Sequence, residues 1–314
     1  MVSLPASVLA RYRRFSLYNS PYAAHDRGRA VDLYPDDPAG VADDRRRGAA
    51  APSPVAGEVI ETRTVACPDR PYAVGEDHLV VVATDPDGYA EGRLARILHV
   101  DPAVEPGDRV AVGDPLGRTV RSGFFGRWVA DHIHLGFRPP EANPVRASGS
   151  LALSVDVDVE PIAWDGVGTV VDVGPTYARL DAPAHPDPDD REWPDGDAPT
   201  WVGLAGEEDR PLDGGLPHYG GGGSLSGGAT GAVSLLGTEV ATAADGDVAV
   251  TGRDLDWGSV GVYANGVRAT GLSLFASRVD FGTKLVFHEG HDFAVGDEVT
   301  VRVRPVADRI RLDD

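Results

Sequence analysis

Histidines concentrate the chemistry in the first half of this chain. His132 and His134 flank Ile133 in Ala-Asp-His-Ile-His-Leu-Gly-Phe (130–137), a stretch that reads as a β-strand. Side chains two apart on a strand share a face, so both imidazoles can converge on one site. Neutral imidazole is the commonest metal ligand and a ready general base. The same H-x-H pattern also arises on exposed sheet faces that bind nothing, so the surroundings decide. His25, His78 and His99 share this half. His78, in Glu-Asp-His-Leu-Val, reads as an ordinary strand residue. His185 and His218 lie among Pro and Gly, as exposed loop histidines do, and His288 and His291 flank Glu289-Gly290 near a turn. Ser53 and Ser122 have no adjacent base that argues for a nucleophile. Gly220–Gly223 opens no helix and carries no Lys-Ser/Thr, which argues against a phosphate loop. Asp26 is a further carboxylate close to His25.

The elements that must position these residues read as short strands. Val55–Val65, His78–Thr84, Leu94–Val100, Arg109–Thr119 and Asp131–Phe137 are rich in Val, Ile and Leu and bounded by Gly, Pro or Asp. No long amphipathic helix is evident, and the 39 Gly and 25 Pro act as punctuation between apolar runs. The class is all-β. The expected division is residues 1–145 as a site-bearing domain, 146–230 as a strand pair plus a Pro/Asp/Gly-rich linker, and 231–314 as a C-terminal β-sandwich-like domain. Asp245-Gly246 and Asn265-Gly266 are expected hairpin turns.

Charge excludes several partners. The 49 acidic and 29 basic residues leave a net charge of −20, which disfavours nucleic acid and anionic membranes, since both need a basic face. Lys284 is the one lysine, and aspartates cluster at Asp36-Asp37, Asp43-Asp44 and Asp187–Asp190. Short hydrated carboxylates suit a high-salt, halophilic setting, and the clusters lack the spacing of a calcium loop. Cys67 is alone, so no disulfide framework or cysteine zinc knuckle is expected. Residues 1–14 lack the basic-then-apolar order of a signal peptide, and no run approaches ~18 apolar residues. The expected location is cytoplasmic.

An ordered set of motifs sharpens the reading. His25-Asp-Arg-Gly-Arg-Ala-Val-Asp32 precedes Pro52-Ser-Pro-Val-Ala-Gly-Glu-Val59. Ile97-Leu-His-Val100, then Val104-Glu-Pro-Gly-Asp-Arg-Val-Ala-Val-Gly-Asp-Pro-Leu-Gly117, then Asp131-His-Ile-His-Leu135 follow. Over about residues 20–140 this order resembles the lysostaphin-type (LytM-like) zinc endopeptidases. The resemblance implies a lipoyl-like barrel-sandwich, the duplicated hybrid motif. It also implies Zn²⁺ held by His25, Asp32 and His134, with His99 and His132 as the catalytic pair. A peptide-like substrate would then be hydrolysed through metal-bound water. One departure stands out. The family's spacing places its first histidine at position 28, which is Gly28 here, whereas His25 stands seven residues before Asp32. An odd offset on a regular strand points two side chains to opposite faces, unless a turn at Asp26–Gly28 re-aims His25.

Two alternatives follow. A degenerate metal site would make the chain an inactive, peptidase-like binding module with a protein partner. A lipoyl or biotinyl carrier needs a lysine at a hairpin tip, and residues 1–283 contain none.

Overall fold

The computed structural model describes residues 1–22, 25, 27–35, 48–146, 149–188, 199–226, 231–244 and 253–312. Asp26, the pairs Asp36-Asp37, Asp43-Asp44 and Asp189-Asp190, and the Asp245-Gly246 turn lie outside the described residues. The fold is all-β, with a single-turn helix, Ala6–Leu9, among the described residues. No helix there is long and apolar enough to cross a membrane. Two compact units are present, one chiefly N-terminal (Met1–Phe15 and Arg29–Val157) and one chiefly C-terminal (from Asp158, with Ser16–Gly28).

The first unit contains β1 (Val2–Pro5), β2 (Tyr12–Ser16), β3 (Val31–Pro35), β4 (Ala50–Pro52), β5 (Gly57–Ala66) and β6 (Glu76–Thr84). After these come β7 (Leu94–Leu98), β8 (Val100–Pro102), β9 (Arg109–Val110), β10 (Pro115–Thr119), β11 (Ile133–Arg138) and β12 (Leu153–Asp156). Strands β9, β5, β6, β7, β11 and β3 pair antiparallel in that order. A smaller sheet has the order β4-β10-β8, and β1 pairs β12 in parallel. The continuous run Leu79–Val82 is buried because β6 is covered on both faces. Leu79 and Val81 pack with Leu94 on one side, and Ile97, Leu135 and Phe137 are fully buried on neighbouring strands. Two expected strands are interrupted. Leu94–Val100 breaks at His99, which adopts φ +67°, and Arg109–Thr119 breaks at a turn after Val110.

In the second unit a chain of antiparallel strands begins Ala232–Leu235, Thr238–Ala243, Asp254–Trp257, Gly221–Ser224, Arg210–Leu216, Gly271–Leu274. It continues through Lys284–Val286, Tyr177–Leu180, Val167–Gly174, Glu298–Pro305, Val260–Ala264 and Val267–Ala269. Glu298–Pro305 shows why: Val299, Val301 and Val303 are buried and alternate with exposed Thr300, Arg302 and Arg304. Asn265 and Gly266 form the expected turn, both at positive φ. The glycine run departs from the reading as linker. Gly221–Ser224 is a buried strand, and a Cβ on Gly222 would stand 1.9 Å from Trp257 Cζ2. Glycine is there because the indole lies flush on the backbone.

Candidate metal centre

Antiparallel pairing of β3 with β11 sets Val31 opposite Leu135 and Leu33 opposite Ile133, all four fully buried. That apolar face fixes the register, and the register places Asp32 directly opposite His134 on the other face. His134 Nδ1 lies 3.1 Å from Asp32 Oδ1. His132 stands two residues earlier, and its Nε2 is 3.5 Å from the same oxygen. Its Nδ1 lies 2.9 Å from the Ala130 carbonyl, which can only accept, so Nδ1 carries the proton and Nε2 presents a lone pair. Burial holds the His132 pKa below its ordinary value, against the opposing pull of Asp32. A neutral imidazole lone pair thus faces a carboxylate oxygen.

His25 arrives by a turn rather than a strand. Its N–H donates to Tyr22 O (2.8 Å), and Gly28 N–H donates to His25 O (3.3 Å). Gly28 takes φ +55°, a conformation glycine adopts without a Cβ penalty. Strand β3 begins only at Val31, so strand alternation does not govern the seven-residue offset. His25 Nδ1 meets the Leu17 carbonyl at 2.9 Å and therefore carries the proton, which makes Nε2 the nitrogen that can coordinate. Within the first unit, Asp32 and His134 offer a carboxylate and an imidazole 3.1 Å apart, and His25 belongs to the Ser16–Gly28 segment of the second unit. Two imidazoles and a carboxylate, with a position left open, suit a hydrolytic zinc site. Asp32 and His25 are buried and His134 is partly exposed.

His99 completes the cluster. Its ring lies 5.0 Å from that of His132 and 5.8 Å from that of His134, and Phe125 packs on His132 and His99 at 4.6 and 5.2 Å. Its backbone N–H donates to Asp77 Oδ1 (3.0 Å), and its Nδ1 is 2.5 Å from Asp77 Oδ2. Ser122 Oγ donates to Asp77 Oδ2 (2.6 Å) and His78 N–H to Oδ1 (2.7 Å). Burial alone would raise the Asp77 carboxyl. The hydrogen bond and charge of His99, with the bonds from Ser122 and His78, outweigh it and hold the carboxyl below its ordinary value.

Asp32, His99, His132 and His134, singled out from the sequence, stand together in the first unit, and His25 stands in a turn of the second, whereas Asp77 and Phe125 were missed. Asp77 carried one signal: it shares strand parity with buried Leu79 and Val81, where a carboxylate needs a partner. His78 is a half-buried strand residue near Thr64 Oγ1 at 3.4 Å. His185 and His218 correct the expectation of exposed loop histidines, being 9% and 0% exposed. Burial pushes the His218 pKa down to about 3, which keeps it neutral inside the second unit. His291 Nε2 faces the carbonyls of Gly174 and Tyr177, a structural role.

Residues 3–155 match the family described as Domain of unknown function (DUF8155) N-terminal domain, and residues 160–304 match its C-terminal domain. Among curated proteins none matches this chain. Among solved structures, the chain is similar to the catalytic domain of the antimicrobial peptidase lysostaphin from Staphylococcus simulans. That similarity has 17% identity and a TM-score of 0.27, over 47% of this chain and 92% of that one. A solution structure of lysostaphin is similar at 14% identity and a TM-score of 0.28, over 82% of this chain and 91% of that one.

Proposed function

We propose that this chain is a zinc-dependent, peptidase-like hydrolase of peptide or amide bonds, with His25, Asp32 and His134 holding the metal. The observation that carries this reading is the register of β3 and β11, which sets His134 Nδ1 3.1 Å and His132 Nε2 3.5 Å from one oxygen of Asp32. The ordered motifs of residues 20–140, which resemble lysostaphin-type peptidases, support it as well. His25 lies outside strand β3, which begins at Val31, so strand alternation does not set the direction of its ring against Asp32.

Bound zinc supplies Lewis acidity toward the scissile carbonyl and makes water more acidic. The protein's own groups then move the proton. Nε2 of His99 or His132 takes it from the attacking water as the new C–O bond forms. The resulting imidazolium returns it to the amine nitrogen as the C–N bond breaks. Phe125 packs against both rings, edge-on to His99 and tilted to His132. Zinc-loaded full-length protein is expected to cleave members of a peptide library. His99→Ala should lower kcat/KM by about 10²–10⁴-fold at unchanged zinc content. An uncleaved library with fully zinc-loaded wild type contradicts the proposal.

A further inference from the structure

We infer that Asp77 is the positioning residue for His99, fixing the tautomer that leaves its Nε2 bare as the base. The inference rests on the proposed function for its meaning, but its geometry stands apart from any metal. Asp77 is fully buried, and its two oxygens grip one residue twice, through the backbone N–H of His99 at 3.0 Å and ring Nδ1 at 2.5 Å. A carboxylate offers only acceptors, so Nδ1 must carry the proton. Ser122 and the N–H of His78 hold the carboxylate from the other side, which stops it rotating away. The backbone grip also holds His99 at φ +67°, a conformation costly for a residue with a Cβ, at the break between β7 and β8. Four hydrogen bonds on one buried carboxylate at a strained histidine exceed what strand pairing requires. Their joint effect is to fix one ring in one tautomer beside His132 and His134.

Asparagine at 77 gives a sharp test. If its carbonyl keeps the bond to His99 N–H, its amide NH₂ faces Nδ1, and only the opposite tautomer can accept it. The experiment is long-range ¹H–¹⁵N correlation of the histidine rings in full-length, chelator-treated protein, for wild type and Asp77→Asn, with zinc content measured after reloading. The inference expects Nδ1-protonated His99 in wild type, loss of that pattern in favour of Nε2–H in Asp77→Asn, and unchanged zinc content in both. Wild-type His99 protonated on Nε2 overturns the inference without any variant, so failure of Asp77→Asn to fold does not shelter it. An unaltered tautomer in folded Asp77→Asn overturns it equally. Wild type that takes up no zinc overturns the proposed function instead, whichever tautomer is found.

Discussion

Asp32 and His134 face each other across neighbouring antiparallel strands, Oδ1 to Nδ1 at 3.1 Å, in a register set by buried apolar pairs on the opposite face. Two of the three candidate ligands therefore sit on regular strands, which hold a site more tightly than loops do. The third, His25, depends on a turn closed at Gly28. This asymmetry tells where the site is vulnerable.

Gly28→Ala strikes that turn. A left-handed conformation costs a residue with a Cβ about 1–2 kcal/mol, and the new Cβ would stand 2.8 Å from Tyr18 Oη. Tyr18 has little room to yield, since its hydroxyl donates to Asp254 at 2.8 Å. Calorimetry should show a lower Tm, and zinc titration of the folded variant should show affinity weakened by about tenfold or more, on the scale of losing a ligand's support. Wild-type zinc affinity in a folded Gly28→Ala would remove His25 from the ligand set.

Asp213 gives the second unit a pH dependence. Burial lifts its carboxyl to about 7, although Ser16 Oγ and the N–H groups of Leu17 and Tyr18 pull it down. Between about pH 4 and pH 7 the native state keeps a proton that the unfolded chain has released. Stability from this group is full below that window, falls as pH rises through it, and is lost above it. At 1.36 kcal/mol per unit the loss is at most about 4 kcal/mol. Asp213→Asn imitates the protonated acid and should flatten the slope in urea unfolding at pH 5 and pH 8 at fixed salt. A slope equal to wild type would show that another group titrates.

Gly222→Ala tests the glycine strand. Its Cβ would stand 1.9 Å from Trp257, an indole only 4% exposed, so overpacking of about 1–3 kcal/mol or more is expected. Gly75→Ala meets nothing within 4 Å and serves as the control. Equal Tm values for the two variants would mean Trp257 moves aside.

Local chemistry was legible in the sequence where one strand carried it. Ile133 between His132 and His134 announced a shared face, and Val-Asp-Leu at 31–33 fits a strand that buries its neighbours and turns Asp32 the other way. Partners distant in sequence were not legible. Asp77 acts on His99 and Ser122, 22 and 45 residues away, and only strand pairing brings them together. The glycine run at 220–223 read as linker because its reason, the face of Trp257, belongs to a strand more than thirty residues later. His218 misled similarly, since neighbouring Pro and Gly describe its turn and not the packing that buries it.

Zinc binding is tested by elemental analysis of full-length protein purified in high salt and reloaded with zinc, for wild type beside His25→Ala and His134→Ala. About one zinc per chain is expected in wild type, as a three-ligand site with one open position holds. Both variants should lose that zinc while circular dichroism shows the β-fold retained. Wild type without zinc, or folded variants that keep it, would show that His25, Asp32 and His134 do not hold the metal.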